Sequence, residues 1–279
     1  MTEVETGTQP SVAEQSNRVS SVIGVMSGKG GVGKSLVTAF LACALRESGG
    51  EVGILDADIT GPSIPKMFGI TSRPETSDIG ISPVVTRTGI RAMSINLFLN
   101  APDDAVIWRG PLISNAVQQF WKDVFWGKLD YLIVDLPPGT ADVPLTVMQA
   151  LPLDCVTIVC SPQDLAAMVV RKAVNMCRKM EVPILGLVQN MTSLRCPECG
   201  KVIYPFGKSD SELLAREMNV PHILDVPVDP AISALADAGA IEDYTENPFV
   251  AAVPKIVNGV MKIKNLRGDV PGNAPDSAG

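Results

Sequence analysis

The sequence predicts an α/β domain in which a mostly parallel sheet carries helices on both faces. Three observations lead there. Short β-branched runs, at residues 22–26, 52–56, 90–95, 131–135, 155–160, 184–190 and 223–226, alternate with longer segments of helical character. Most of these runs are apolar along nearly their whole length instead of alternating with polar residues, as strands covered on both sides are. The first leads straight into a glycine-rich loop, and open α/β sheets collect their ligands at the carboxyl ends of the strands. Helices are predicted at 36–47, 112–125, 143–150, 163–180, 209–218, 231–237 and 249–264. With 279 residues, 46% of them hydrophobic and 19% charged, the chain can bury one large core, and no linker divides residues 19–266. Residues 1–18 and 267–279, rich in Ser, Thr, Glu, Gly, Asp and Pro, read as disordered tails. No apolar stretch approaches the ~18 residues of a membrane span, and the acidic opening is not a signal peptide. The net charge of −7 disfavours a phosphate-backbone footprint. The expectation is a cytoplasmic protein with neither membrane nor nucleic acid as partner.

Directly after the first strand, Ser27-Gly28-Lys29-Gly30-Gly31-Val32-Gly33-Lys34-Ser35 satisfies the pattern G-x-x-x-x-G-K-S/T from Gly28 to Ser35. Its glycines, with Val32 between them, let successive backbone N–H groups curl around a phosphate. Lys34 reaches the β- and γ-phosphates, and the Ser35 hydroxyl ligates Mg²⁺. The helix at 36–47 adds its positive N-terminal end, and Gly49-Gly50 stop it. ATP with Mg²⁺ is the ligand this loop predicts. Lys29 is the unusual residue, because an ordinary phosphate loop needs no charge there. The pattern K-G-G-x-G-K-S/T resembles the deviant Walker A class of P-loop ATPases, the SIMIBI type. That resemblance implies a homodimer in which Lys29 crosses to the partner's nucleotide and acts beside Lys34 in catalysis; a solvent-facing lysine is the plainer alternative.

Further along, the strand at 52–56 delivers Asp56 and, two residues on, Asp58. That i, i+2 spacing aims both toward the edge where metal and attacking water would sit. In the deviant Walker A class an aspartate here positions the water, so Asp58 is the water-orienting candidate and Asp56 its helper near Mg²⁺, the two roles being exchangeable. A helix cap at Asp58 is the alternative. The strand at 131–135 ends on Asp135, a carboxylate at the tip of a buried strand, as a Mg²⁺-holding Walker B aspartate requires. Leu136-Pro137-Pro138-Gly139-Thr140 then combines two rigid residues with a flexible one, which suits a switch loop. Asn190 closes the strand at 184–190. Its amide donates and accepts, as reading an adenine edge demands, while an Asx turn would use the same residue.

Four of the six cysteines, Cys43, Cys155, Cys160 and Cys177, fall inside predicted helices or strands and read as small buried hydrophobes. Cys196-Pro197-Glu198-Cys199-Gly200 is different, a C-x-x-C in the loop after Asn190 that grips a metal centre from one side. Zinc and iron–sulfur sites usually take four protein ligands, whereas the chain holds no second C-x-x-C and one histidine, His222. Two copies related by a twofold axis supply four thiolates. The same letters also spell a zinc-ribbon knuckle.

Residues 27–35, 56–65, Trp108-Arg109-Gly110-Pro111, 135–142, Asn190-Met191, 196–200 and 204–207 together resemble the Mrp/NBP35 family of P-loop ATPases, the iron–sulfur cluster carriers. The match runs over about 22–264, and it resembles the short form of the family, without an N-terminal extension. It implies a homodimer that holds a cluster, of the 4Fe–4S type, between Cys196 and Cys199 of each copy and hands it to apo-proteins. ATP binding and hydrolysis would govern loading or release. Trp108 to Pro111 is implied to be a conformational element beside the nucleotide or the interface. A positioning ATPase of the MinD/ParA type shares the phosphate loop, but such proteins usually end in a basic amphipathic membrane helix that residues 268–279 do not resemble.

Overall fold

The structure, a computed structural model, describes residues 11–58, 61, 63–98, 110–162 and 166–268. In chain order its elements are α1 (Val12–Ser16), β1 (Arg18–Ser27), α2 (Lys34–Glu47), β2 (Val52–Asp56), α3 (Ile64–Met67), β3 (Glu75–Ser77), β4 (Gly80–Ser82), β5 (Val84–Val85) and β6 (Arg91–Ser94). There follow α4 (Gly110–Asp123), β7 (Lys128–Asp135), α5 (Asp142–Ala150), β8 (Cys155–Cys160), α6 (Ala166–Lys179), β9 (Ile184–Arg195), β10 (Val202–Ile203), α7 (Ser211–Glu217), β11 (His222–Val228), α8 (Pro230–Asp237) and α9 (Phe249–Arg267).

The main sheet runs β5-β6-β2-β7-β1-β8-β9-β11, parallel throughout except for the edge strand β5, and β10 pairs antiparallel with the far end of β9. β1 lies in the middle, between β7 and β8. All of β2 and β8 and the last seven residues of β1 are buried, which is why these strands read as unbroken apolar runs. One core, with Met26, Trp126, Leu132, Val147 and Cys177, fills one face of the sheet. The other, with Phe40, Leu45, Ile54, Ile133 and Phe249, fills the opposite face under α2 and α9. Each such side chain contributes roughly 1.5–3 kcal/mol of burial. The register places Asp56 of β2 beside Asp135 of β7 at the carboxyl edge, and Val25 of β1 beside the same Asp135. No helix among the described residues is long and apolar enough to cross a membrane.

Ordered structure begins earlier than the tail expected at residues 1–18. Ser11 caps α1, accepting from Glu14 N at 3.1 Å and donating to Lys122 O at 2.6 Å. Asn17 Nδ2 donates to Val124 O at 2.8 Å, and its Oδ1 accepts from Gly127 N at 2.9 Å. The polar composition that suggested disorder instead supplies caps and cross-links, with Ala13 alone buried on the helix. At the other end α9 continues to Arg267 and stops at Gly268 in the left-handed region (φ 77°), so the expected boundary moves by one or two residues. Residues 1–10 and 269–279 lie outside the described residues. Asn17→Ala removes both bonds that join α1 to the start of β7. It is expected to lower stability by about 1–2 kcal/mol in a urea titration, with an unchanged slope.

Candidate functional site

The loop between β1 and α2 forms a cradle because its glycines take conformations that side chains resist. Gly31 and Gly33 have φ of 77° and 79°, and Gly33 is the N-cap of α2. A Cβ on Gly33 would stand 2.1 Å from Asn190 Nδ2, and one on Gly28 would stand 2.7 Å from the Val169 carbonyl oxygen of α6. A Cβ on Gly30 or Gly31 would meet nothing within 4 Å, so this side of the loop is open. It opens on a cavity of about 420 Å³ lined by Gly30, Gly33, Lys34, Ser35, Asp58 and Pro138, among others. The switch loop is tied to the cradle at its base, where Gly139 N donates to Ser27 O at 2.9 Å. Ser27 Oγ in turn donates to Lys29 O at 2.8 Å, and the Lys29 side chain lies half-buried.

Lys34 stands at the centre of the buried charges. Its Nζ is 2.8 Å from Asp135 Oδ1 and 3.2 Å from Asp58 Oδ2. Burial opposes the ammonium, but Asp135 and Asp58 outweigh it and raise the Lys34 pKa above its ordinary value. Ser35 Oγ donates to Asp135 Oδ2 at 2.5 Å, and Thr38 Oγ1 donates to Asp135 Oδ1 at 2.9 Å. Asp56, 1% exposed, accepts from Ser94 Oγ at 3.1 Å and from the Asp58 backbone N–H at 3.1 Å. Its pKa is pushed well above the carboxylate range, chiefly by burial and next by the neighbouring Asp135. Three carboxylates surround one ammonium, and all the donors besides are oxygen. That donor set fits a hard divalent cation such as Mg²⁺.

Asn190, 2% exposed, does two things at once. Its Nδ2 donates to Val32 O of the loop at 2.9 Å, and its Oδ1 accepts from Met191 N at 2.9 Å. The second bond reaches only the next residue, so it is not the two-residue Asx turn weighed against base reading, and the first is a clasp on the phosphate loop that the sequence did not suggest. Thr38, Ser94 and Ser27 were also missed. Thr38 had a signal, since it lies four residues after Lys34 on the same face of α2.

β9 continues five residues past Asn190, further than expected, because its far half stays paired with β11 through Leu194↔Val228 and gains β10 on its other edge through Arg195↔Val202 and Leu194↔Ile203. The turn between them carries Cys196 and Cys199. Cys196 N donates to Lys201 O and Gly200 N to Cys196 O, both at 2.9 Å, with Gly200 at φ 70°. Hydrogen bonds from the Cys199 and Glu198 backbone N–H groups hold the Cys196 thiol below its ordinary pKa, toward the thiolate that metals bind. Val202, Ile203, Tyr204 and Phe206 beside the pair are exposed. Among the described residues no third His, Cys, Asp or Glu joins this pair in a metal-ligand cluster. His222 opens β11 and lies 3.0 Å from Asp225 Oδ1. Cys155, Cys160 and Cys177 are buried and their thiols are pushed up to about 12, chiefly by burial. Cys43, expected to be buried with them, lies half-exposed on α2. Trp108 and Arg109, and Ile59, Thr60 and Pro62 of the second block, lie outside the described residues.

Known proteins are similar to this chain in sequence and fold. A family model described as ParA, NUBPL iron-transfer P-loop NTPase, matches residues 18–261. Proteins named iron-sulfur cluster carrier protein from Clostridium perfringens and Saccharolobus solfataricus are 44% and 46% identical over 244 and 245 residues, covering 84% and 86% of this chain and 86% and 83% of theirs. A solved nucleotide-binding protein from Archaeoglobus fulgidus, in complex with ADP and with Co found in it, is 44% identical with a TM-score of 0.75, covering 83% of this chain and 91% of that one. The cell division ATPase MinD of Pyrococcus furiosus, at 22% identity and a TM-score of 0.63 over 88% and 99% of the two chains, shares the fold. With phosphate cradle, carboxylate cluster and cysteine pair on one such fold, the chain belongs to the ParA/NUBPL family of iron-transfer P-loop NTPases.

Proposed function

We propose that two copies of this chain hold an iron–sulfur cluster between their cysteine pairs and that ATP binding and hydrolysis govern its transfer to apo-proteins. One observation carries the reading: the strand whose Asn190 clasps the phosphate loop runs on for five more residues to Arg195, directly before Cys196. The incomplete ligand set within one chain supports a twofold arrangement, as does the exposed apolar surface of Val202, Ile203, Tyr204 and Phe206 beside it. The names of the relatives support the cargo.

In this mechanism the loop amides from Gly28 to Ser35 bind the β- and γ-phosphates, and Lys34 neutralises charge that builds on them. Ser35 and Asp135, with Asp56 and Asp58 close by, would hold Mg²⁺, which supplies neutralisation of phosphate charge when bound. Asp58, held at the cavity by Lys34, orients the attacking water. Lys29 of each copy completes the partner's site. Asn190 sets the position of the loop and leaves the base to neighbouring groups or to its own remaining N–H.

Asp58→Asn keeps the shape of the side chain and removes its charge. ATP turnover is expected to fall about 10²-fold or more with nucleotide affinity within a few-fold of wild type, and unchanged turnover would remove Asp58 from the mechanism. Anaerobic reconstitution with iron and sulfide is expected to give cluster absorption and a dimer, and Cys196→Ala to lose the absorption while still binding ATP. Metal analysis that finds zinc in place of iron and sulfide would instead make the hairpin a structural clasp.

A further inference from the structure

Two adjacent buried amides end the buried part of β9, and because neighbouring side chains of a strand face opposite ways they reach in opposite directions. Asn190 turns to the phosphate loop. Gln189, also 2% exposed, turns to the other face, where its Oε1 accepts from Ser209 Oγ at 2.6 Å. Ser209 is the point at which the chain returns after the cysteine excursion. The excursion leaves at Met191, whose φ of 61° breaks the extended run, carries Cys196 and Cys199 around β10, and turns back at Gly207 (φ 84°). Beyond Ser209 the chain enters α7, capped by Asp210 accepting from Leu213 N at 2.8 Å.

Residues 191–208 are therefore an arm pinned at both ends by neighbouring residues of one strand. Along its near side Thr192 Oγ1 donates to Val226 O at 3.2 Å, which leaves β11 as the surface the arm leans on. On the face of Gln189 the register neighbour is Cys160, which together with Gly28, Lys29 and Val32 walls a void of about 10 Å³ behind the phosphate loop. The Asn190 pin thus bonds the loop directly, and the Gln189 pin lies one strand from it, beside the residue that backs the loop. A tether at one end alone would let the arm rotate when the loop moves; two tethers one residue apart oblige it to follow.

We propose that Gln189 is a positioning residue, which through Ser209 fixes the exit of the cysteine arm to the strand that Asn190 fixes to the phosphate loop. Exchange of ADP for ATP then moves both cysteines as a unit. The consequence for cargo rests on the carrier function proposed above, but the coupling itself needs no cluster.

The test is amide hydrogen exchange of residues 192–207 in the full-length, metal-free chain, with Mg-ADP and with a non-hydrolysable Mg-ATP analogue. Wild type is expected to exchange differently in the two states. Ser209→Ala, an exposed position, is expected to speed exchange in the arm roughly two- to tenfold and to make the two states alike, with nucleotide affinity and melting temperature unchanged. Ser209→Thr keeps the hydroxyl and is expected to restore the difference. A wild-type arm indifferent to nucleotide, or a Ser209→Ala arm that keeps its nucleotide dependence, overturns the proposal. A chain that loads no cluster but still shows the nucleotide-dependent arm refutes the carrier function and supports the coupling.

Discussion

Everything at the carboxyl edge of the sheet is arranged around the ion pairs of Lys34 with Asp135 and Asp58. Asp135 is wholly buried and Lys34 nearly so, and a buried charge stripped of its partner costs several kcal/mol. That cost dictates what surrounds them. Asp135 takes hydroxyl donors from Ser35 and Thr38 as well as the ammonium, so both its oxygens have partners, Oδ1 two and Oδ2 one. Asp56, one strand away in the same register, is left with a hydroxyl and a backbone N–H, and it is the carboxylate whose pKa rises. The parallel register of β2, β7 and β1 is what brings the loop and the acids to one place, because each strand ends at the same level.

The sequence made the strands and the phosphate loop legible for a physical reason. Central parallel strands bury both faces, so 52–56 and 155–160 are apolar along nearly their whole length and agree with the structure residue for residue. The loop needs particular residue types at fixed spacing, and the fold brings Lys34 to within 2.8 Å of Asp135. What the sequence hid depends on contacts across long separations. Asn17 reads as a polar residue in a tail until Val124 and Gly127 stand next to it, more than a hundred positions away. Gln189 reads as one more residue in an apolar run, and nothing local reveals that Ser209 returns to it. The length of β9 was hidden in the same way, because its second half pairs with a two-residue strand too short to carry a periodicity of its own.

The cysteine pair is the one feature that a single chain leaves incomplete. Its geometry is settled locally: the hairpin bonds of Cys196 with Lys201 and Gly200 close the turn, and two backbone N–H groups stabilise sulfur charge. What it lacks is ligands. In the proposed dimer a twofold axis at the hairpin would add two sulfurs without any new residue type and would cover the exposed Tyr204 and Phe206 beside them. A monomer would leave those side chains in water beside an open metal site.

Coupling between the two centres follows from distance along the chain more than from distance in space. A loop joining Asn190 to Cys196 through a flexible linker would lose the nucleotide signal as conformational freedom. Here the connection is extended strand, rising about 3.3 Å per residue and braced by β11 and β10. Extended backbone held on two sides transmits displacement poorly along its hydrogen-bonded plane and well as rotation about its base. The base is where Met191 adopts a left-handed conformation, which costs on the order of 1 kcal/mol for a residue with a side chain. Met191 thus stands between the amide that grips the phosphate loop and the strand end that carries the thiols, and the proposed coupling would have to pass through it.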